Sequence, residues 1–312
     1  MDLVQAVRDA KPGDTLKVPA GRYQVNLELT KPISLLAMGQ AVLDGVHAGS
    51  VVRVTAPGLV RLSGFTLVGG NAPEAGGAVC QLDGELELID CTVRFNKAPL
   101  YGGGGLYVRD GKARVQRCRF EANTGRQGGG LLIDGTAEVK VEDSTILQNA
   151  AVEGGGLRVK EGAKLELLGC TIADNKVVGD GAAGGAIHTA GTTTRAPTLS
   201  LSHCIVSERK EGPACIFNSP KLPATLTIAR SVLPKWCQAL GGDKNKFGDP
   251  GFVMSGTEPY LLDERSLAVG AGDAKSFAAG SKDVTGRDRA RNGVVDLGAF
   301  AFVQKSSSNL PY

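Results

Sequence analysis

No run of 18 apolar residues occurs in this chain, which excludes a transmembrane helix. No sign of charge dominates either. Lys+Arg 35 against Asp+Glu 32 gives a net charge of +3, with both signs mixed throughout. That balance excludes the basic face of a nucleic-acid binder. The N-terminus lacks a basic n-region and an apolar h-region, so no signal peptide is legible. With Met1 as the native start, the expected location is cytoplasmic, or export by another route. Histidine is scarce, at 3 residues, and the 7 cysteines are an odd count.

Glycine is abundant, at 44 residues, and it recurs in phase, so it marks turns rather than disorder. One phrase is repeated four times from Gly76 to Asn175: glycines, an apolar strand, an acidic-Gly turn, a second strand, then Cys and Asn. The four copies end at Asn96, Asn123, Asn149 and Asn175, spaced 27, 26 and 26. Cys91, Cys118, Ser144 and Cys170 stand five residues before each Asn, and Cys204 continues the series. A fixed period this short means stacked supersecondary units.

Side-chain alternation assigns faces within each unit. Val79, Leu106, Leu131, Leu157 and Ile187 point inward after the glycines. Cys80, Tyr107, Leu132, Arg158 and His188 point outward. In the second strand Leu86/Leu88, Ala113/Val115, Val139/Val141 and Leu165/Leu167 point in. In the third strand Val93, Phe120, Ile146 and Ile172 join the Cys column. The period and three short strands fit one coil of a parallel β-helix, whose crossovers are right-handed in nearly all cases. The expected fold is all-β: a single-stranded right-handed parallel β-helix of about 26-residue coils.

Asn96, Asn123, Asn149 and Asn175 are expected to hydrogen-bond along the axis as a ladder. Cys91, Cys118 and Cys170 are expected as buried free thiols, because Ser144 replaces their neighbour silently. Cys80, Cys215 and Cys237 lie outside that column, and a pair among them is left open.

The ends differ in texture. Leu3, Val4 and Val7 share one helical face in residues 1–10, which would cover the raw hydrophobic end. A solenoid over residues 1–235 is expected, then an irregular cap over 236–303 and a flexible tail over 304–312. Ala10 to Tyr23, reading AKPGDTLKVPAGRY, resembles the opening phrase of the pectate-lyase-like right-handed parallel β-helix superfamily. Residues 236–303 resemble a choice-of-anchor Q domain. The match runs through Gly248-Asp249-Pro250, Phe252-Val253, Tyr260-Leu261, Ser266 to Gly272, Asp283, Gly286, Arg287, Gly293 and Asp296 to Phe300. Leu267, Gly270 and Ala301 depart from that pattern.

The superfamily resemblance implies an extracellular or cell-surface location and enzymes acting on polysaccharides. However, the Asn-Thr-Asp, Asp-Asp and Gly-His-Gly set of polygalacturonases is missing. So is the Asp-Pro-His-Glu motif of uronan epimerases. Fold alone does not carry activity.

Three groups of residues remain as site candidates. The outward column offers Tyr107, Arg158 and His188 as a flat surface for stacking on a glycan. His47 and His203 read as solvated or capping residues in turns. The inserts after each Asn line one corner and offer Lys97, Tyr101, Arg126, Glu153 and Asp180. Asp83, Asp110, Asp134 and Glu161 precede Gly in successive turns; they are local turn formers, or at most a weak calcium site. No cofactor is otherwise expected. Two functions follow. One is a non-catalytic module presenting an extended face to a glycan or protein. The other is a polysaccharide lyase or glycoside hydrolase.

Overall fold

The structure is a computed structural model and describes residues 1–179, 182–191, 195–208, 215–254, 256 and 258–303. Asp180, residues 192–194 of the fifth-coil insert and the tail 304–312 lie outside it. The chain winds into an all-β parallel solenoid of about eight turns. The first sheet stacks eight strands in parallel, from Leu27–Leu29 through Val79–Gln81, Leu106–Val108, Leu131–Ile133, Leu157–Lys160 and Ile187–Ala190 to Ile216–Asn218. Second strands such as Glu85–Ile89 and Lys112–Gln116 form another stack. Third strands such as Thr92–Arg94 and Arg119–Glu121 form the next. Leu59–Val68 joins these two stacks by pairing with Glu85–Ile89 and then with Thr92–Arg94.

The register explains the core. Leu86, Ala113, Val139, Leu165 and Leu199 are cross-strand partners in single file, and all are buried. Each inward position therefore repeats one apolar residue per coil, and the interior is one continuous column. The alternation in the second strands places Glu85, Lys112, Glu138 and Lys164 in solvent, as the period-2 pattern requires.

Two turns per coil use left-handed backbone, mostly without glycine; Gly64 and Gly169 are exceptions, with φ of 80 and 62°. Asp90, Arg117, Asp143 and His203 have φ of 53, 50, 47 and 56° before the Cys/Ser column. Phe95, Ala122, Gln148 and Asp174 have φ of 57, 52, 56 and 54° before the Asn column. Such residues cost about 1–2 kcal/mol each, so the next residue must fix the bend. Asn96, Asn123 and Asn149 each donate Nδ2–H to the Oδ1 of the following Asn at 3.0 Å. Their backbone N–H groups reach the same oxygens at 3.1, 2.9 and 3.0 Å. The amides of all four asparagines also donate to third-strand carbonyls of the preceding coil, Leu67, Val93, Phe120 and Ile146. In the other column the Cys118 N–H donates to Ser144 Oγ at 3.0 Å. Cys118 Sγ in turn donates to the Leu88 carbonyl at 3.4 Å.

The N-terminal helix spans Leu3–Asp9 and is capped by Asp2. Leu3 and Val7 enter the core, whereas Val4 is 42% exposed. The expected three-residue face is thus two residues wide, because seven helical residues present only two successive turns to the solenoid end.

The C-terminal part divides in two. Cys237 of the 3-10 helix Lys235–Leu240 and the strand Lys246–Phe247 pack on the last coil and close the core. Later residues run back along the flank. Leu297 and Leu262 pack on Ile205 and Val232, and Ala299 and Phe300 on Leu147 and Ala173. Those solenoid residues sit on the outward side of the third strands. Asp283 is fully buried and holds this segment together by accepting from Thr285, Arg287 and Ala301 N–H groups.

Candidate functional site

The outward column of the first sheet is longer than the repeat alone indicates. Strand pairing aligns Glu28, Arg53, Cys80, Tyr107, Leu132, Arg158, His188 and Phe217. Its middle is not an open sheet face. Cys80, Tyr107, Leu132, Arg158 and His188 are 2, 6, 0, 6 and 4% exposed. The expectation of a flat glycan platform at Tyr107, Arg158 and His188 is therefore corrected.

The reason lies in the inserts after each Asn. They do not loop away. Lys97–Gly102, Thr124–Gln127, Ala150–Ala151 and Lys176–Val177 form a four-stranded parallel sheet of their own. This corner sheet lies beside the first sheet, and its side chains fold over the column. Tyr101 packs edge-on against Tyr107, with centroids 5.9 Å apart. Its hydroxyl donates to Asp134 Oδ2 at 2.7 Å and accepts from Lys160 Nζ at 2.9 Å. Lys160 lies 3.5 Å from the same carboxylate, with both side chains under 10% exposed. Burial raises the Tyr101 hydroxyl above its usual range, opposed by the Lys160 hydrogen bond. Tyr101, Asp134 and Lys160 thus form a closed unit that holds the corner down.

Glu153, two corners further along the stack from Tyr101, pairs with Arg158. Burial lowers the Arg158 guanidinium to about 10. Burial, and then the Arg158 charge, lower His188 to about 4, and its ring packs edge-on against Phe217 at 5.0 Å. His188 is accordingly a neutral packed ring at neutral pH. Arg126 and Lys97 stand exposed on the corner sheet.

The turn carboxylates go separate ways. Asp83 accepts from the Gly84 N–H at 2.7 Å, and Asp134 from Gly135 at 2.8 Å. Asp110 accepts from the Thr136 N–H and hydroxyl. Glu161 has left-handed φ of 55°. Among the described residues no three His, Cys, Asp or Glu side chains are grouped to hold a metal ion. Gly84, Gly111 and Gly135 after the three aspartates are sterically required, since a Cβ there would lie 2.1, 2.3 and 2.3 Å from backbone carbonyl oxygens, whereas Gly162 after Glu161 has nothing closer than 3.3 Å. His203, read as a turn residue, is fully buried: its Nε2 accepts from the Asp273 N–H at 3.0 Å. His47 is an exposed turn residue with φ of 59°.

Two of the clefts adjoin the column and the flank segment. The first, of about 410 Å³, adjoins the column where Arg53, Leu100, Tyr101, Tyr107 and Arg109 meet. The Arg53 and Arg109 side chains are 39 and 63% exposed. The second, of about 530 Å³, lies between solenoid and flank segment, lined by Asp174, Glu208, Trp236, Asp249, Phe252 and Tyr260. Tyr260 donates to Asp174 at 2.7 Å and accepts from Gln148 at 3.1 Å. Glu208 Oε1 is buried with no hydrogen-bond partner. Burial, and then the Asp174 charge, push its carboxyl up to about 8. Sequence reasoning missed this cleft, because its residues come from separated stretches around positions 174, 208, 235 and 248–260. The Gly248-Asp249-Pro250 phrase was the one local signal.

Over residues 76–233 the sequence matches a family model described as right handed beta helix region. The chain belongs to the right-handed β-helix family. That match spans the regular coils and the column, and ends where the closing 3-10 helix begins. No curated protein matches the sequence.

Proposed function

We propose that this β-helix protein is a non-catalytic module that binds a carboxylated glycan at the cleft of Arg53, Tyr101, Tyr107 and Arg109. The observation that supports it is how the column's ionisable groups are used. Asp134, Lys160, Arg158 and Glu153 are spent on one another. The cleft presents the Arg53 and Arg109 guanidinium groups beside aromatic and apolar side chains, suited to a sugar carboxylate and a sugar face. The Glu74 carboxylate also lines it, and Glu28 and Asp110 lie 4.0 and 3.7 Å from the two arginines, so a bound carboxylate competes with these exposed groups. In this reading the protein works at or outside the cell surface, in the pectate-lyase-like branch, and residues 236–303 are of choice-of-anchor Q type. The reading needs no cofactor, so added calcium should change neither binding nor the melting temperature.

Calorimetry with hexagalacturonate, a hexameric alginate and a neutral cellohexaose tests the reading. Saturable binding of an acidic hexamer without cleavage is expected, weakened at least tenfold in Arg53→Ala and Arg109→Ala. Absence of binding to every probe would sink it.

A polysaccharide-active enzyme is the second reading, and the Glu208 cleft favours it. A carboxyl held protonated beside a second carboxylate and aromatic rings is what an acid-assisted glycoside hydrolase uses. Reducing-sugar release from any of the same hexamers, abolished in Glu208→Gln, would establish that reading over the first.

A further inference from the structure

We propose that Cys215 and Cys237 form a disulfide that locks the last coil to the segment closing the core. Their Sγ atoms lie 3.0 Å apart. Both residues are buried, at 3 and 6% exposed. Cys215 immediately precedes Ile216–Asn218, the last strand of the first sheet. Cys237 sits in the 3-10 helix Lys235–Leu240. An S–S bond is about 2.05 Å long, so the sulfurs must approach by about 1 Å. A short 3-10 helix at the chain's turn-off from the solenoid can supply that shift more easily than an in-register strand.

The column cysteines are placed differently. Cys91, Cys118, Cys170 and Cys204 each direct Sγ at carbonyls of their own and the preceding coil, such as Leu62 and Ile89 for Cys91. Their sulfurs are engaged by the backbone ladder. Among the described residues, Cys215 and Cys237 have no such carbonyl partner.

The chemistry needs an oxidant, and a small disulfide such as oxidised glutathione supplies it. The hydrogen bond between the two thiols favours the thiolate on Cys237. Trp236 and Leu240 beside it are exposed, so local opening of this helix admits the reagent. The Cys237 thiolate attacks one glutathione sulfur and expels one glutathione thiolate. Cys215 then loses its proton and attacks the Cys237 sulfur, expelling the second glutathione. Two protein thiols are oxidised and one glutathione disulfide is reduced. The new bond closes the chain between residues 215 and 237. It also fixes the position of Trp236, a wall of the Glu208 cleft.

The test uses the full chain incubated with oxidised glutathione, then alkylated, digested without reductant and weighed. The expected result is a mass lower by two hydrogens and one cross-linked peptide pair holding Cys215 and Cys237. The other five thiols should be alkylated only after unfolding. Trp236 is the sole tryptophan, so its fluorescence should change on oxidation and revert with reductant. The thermal midpoint of the oxidised form should lie a few degrees above the reduced form. Cys215→Ser and Cys237→Ser should each abolish the cross-link and the fluorescence change. Seven free thiols after oxidation, or a cross-link between any other pair, would overturn the proposal. The assay involves no glycan, so its outcome is separate from that of the binding reading.

Discussion

Asn149 shows what a single side chain does in a stack of coils. Its amide bridges to Asn175 and to the Phe120 carbonyl, while its Oδ1 accepts from Asn123. Asn149→Leu leaves partners unpaired on both sides, at about 1–3 kcal/mol for each unsatisfied group. Lys140→Leu removes only an exposed pair with Glu166 and should cost within about 0.5 kcal/mol. Hydrogen exchange across residues 115–180 should show lost protection for Asn149→Leu alone. An unchanged denaturation midpoint in Asn149→Leu would show that the ladder is not a structural spine. The Cys column has its own check. Cys91, Cys118 and Cys170 should resist thiol reagents in the folded chain and react after unfolding. Reaction at native-state rates would contradict their burial.

At the scale of elements, the corner sheet decides what the first sheet exposes. Lys160→Met leaves Asp134 buried without its cation, which should destabilise by about 3–5 kcal/mol. Tyr101→Phe removes two hydrogen bonds yet keeps the ring, and should cost less. A double change Lys160→Met/Asp134→Asn should recover part of the loss, because the two side chains share one unit. Purely additive losses in urea unfolding would separate them. The column also predicts a pH limb. His188 and His203 are depressed to about 4 from 6.5 by burial. Between those values these two rings bind more protons in the unfolded chain, so their contribution to stability falls as pH drops through that window, opposed there by the raised carboxyls of Asp143 and Glu208. His188→Phe, which continues the ring of Phe217, should flatten this limb between pH 6.5 and about 4. An identical slope in wild type and variant would refute the assignment.

For the whole molecule, the flank segment is tied to the solenoid by a buried ion pair. Arg289 is 1% exposed, and its Nε lies 3.1 Å from Asp143 Oδ1. Its Nη2 donates to the Gly169 carbonyl at 3.1 Å, and its guanidinium stacks over Phe277 at 4.9 Å. Burial still holds the Asp143 carboxyl at about 6, with the Arg289 charge opposing. Arg289→Met strands that carboxyl and should cost about 3–5 kcal/mol. Limited proteolysis should then cut residues 250–303 first, because each coil is coupled mainly to its neighbours. Equal cleavage rates in wild type and Arg289→Met would show that the pair does not anchor the flank.

The repeat alone determined the architecture. Its period, its alternation and its Cys and Asn positions state which side chains face inward, because a parallel stack copies one coil's solution to the next. The left-handed turns at Arg117, Ala122 and Gln148 were invisible, since no glycine marks them and only the stacked side chains stabilise them. The fate of the outward column was likewise undecided. Tyr107, Arg158 and His188 have the same alternation whether open or covered. Tyr101 reaches Asp134 across 33 positions of sequence, and only the folded corner brings them together. The flank segment follows the same logic: Leu147, Ala173 and Ile205 face outward as apolar residues, and what covers them lies about a hundred residues further on. Contacts within and between neighbouring coils are written in the period. Contacts between a coil and a distant non-repeating segment depend on where the chain returns, which tertiary structure alone decided.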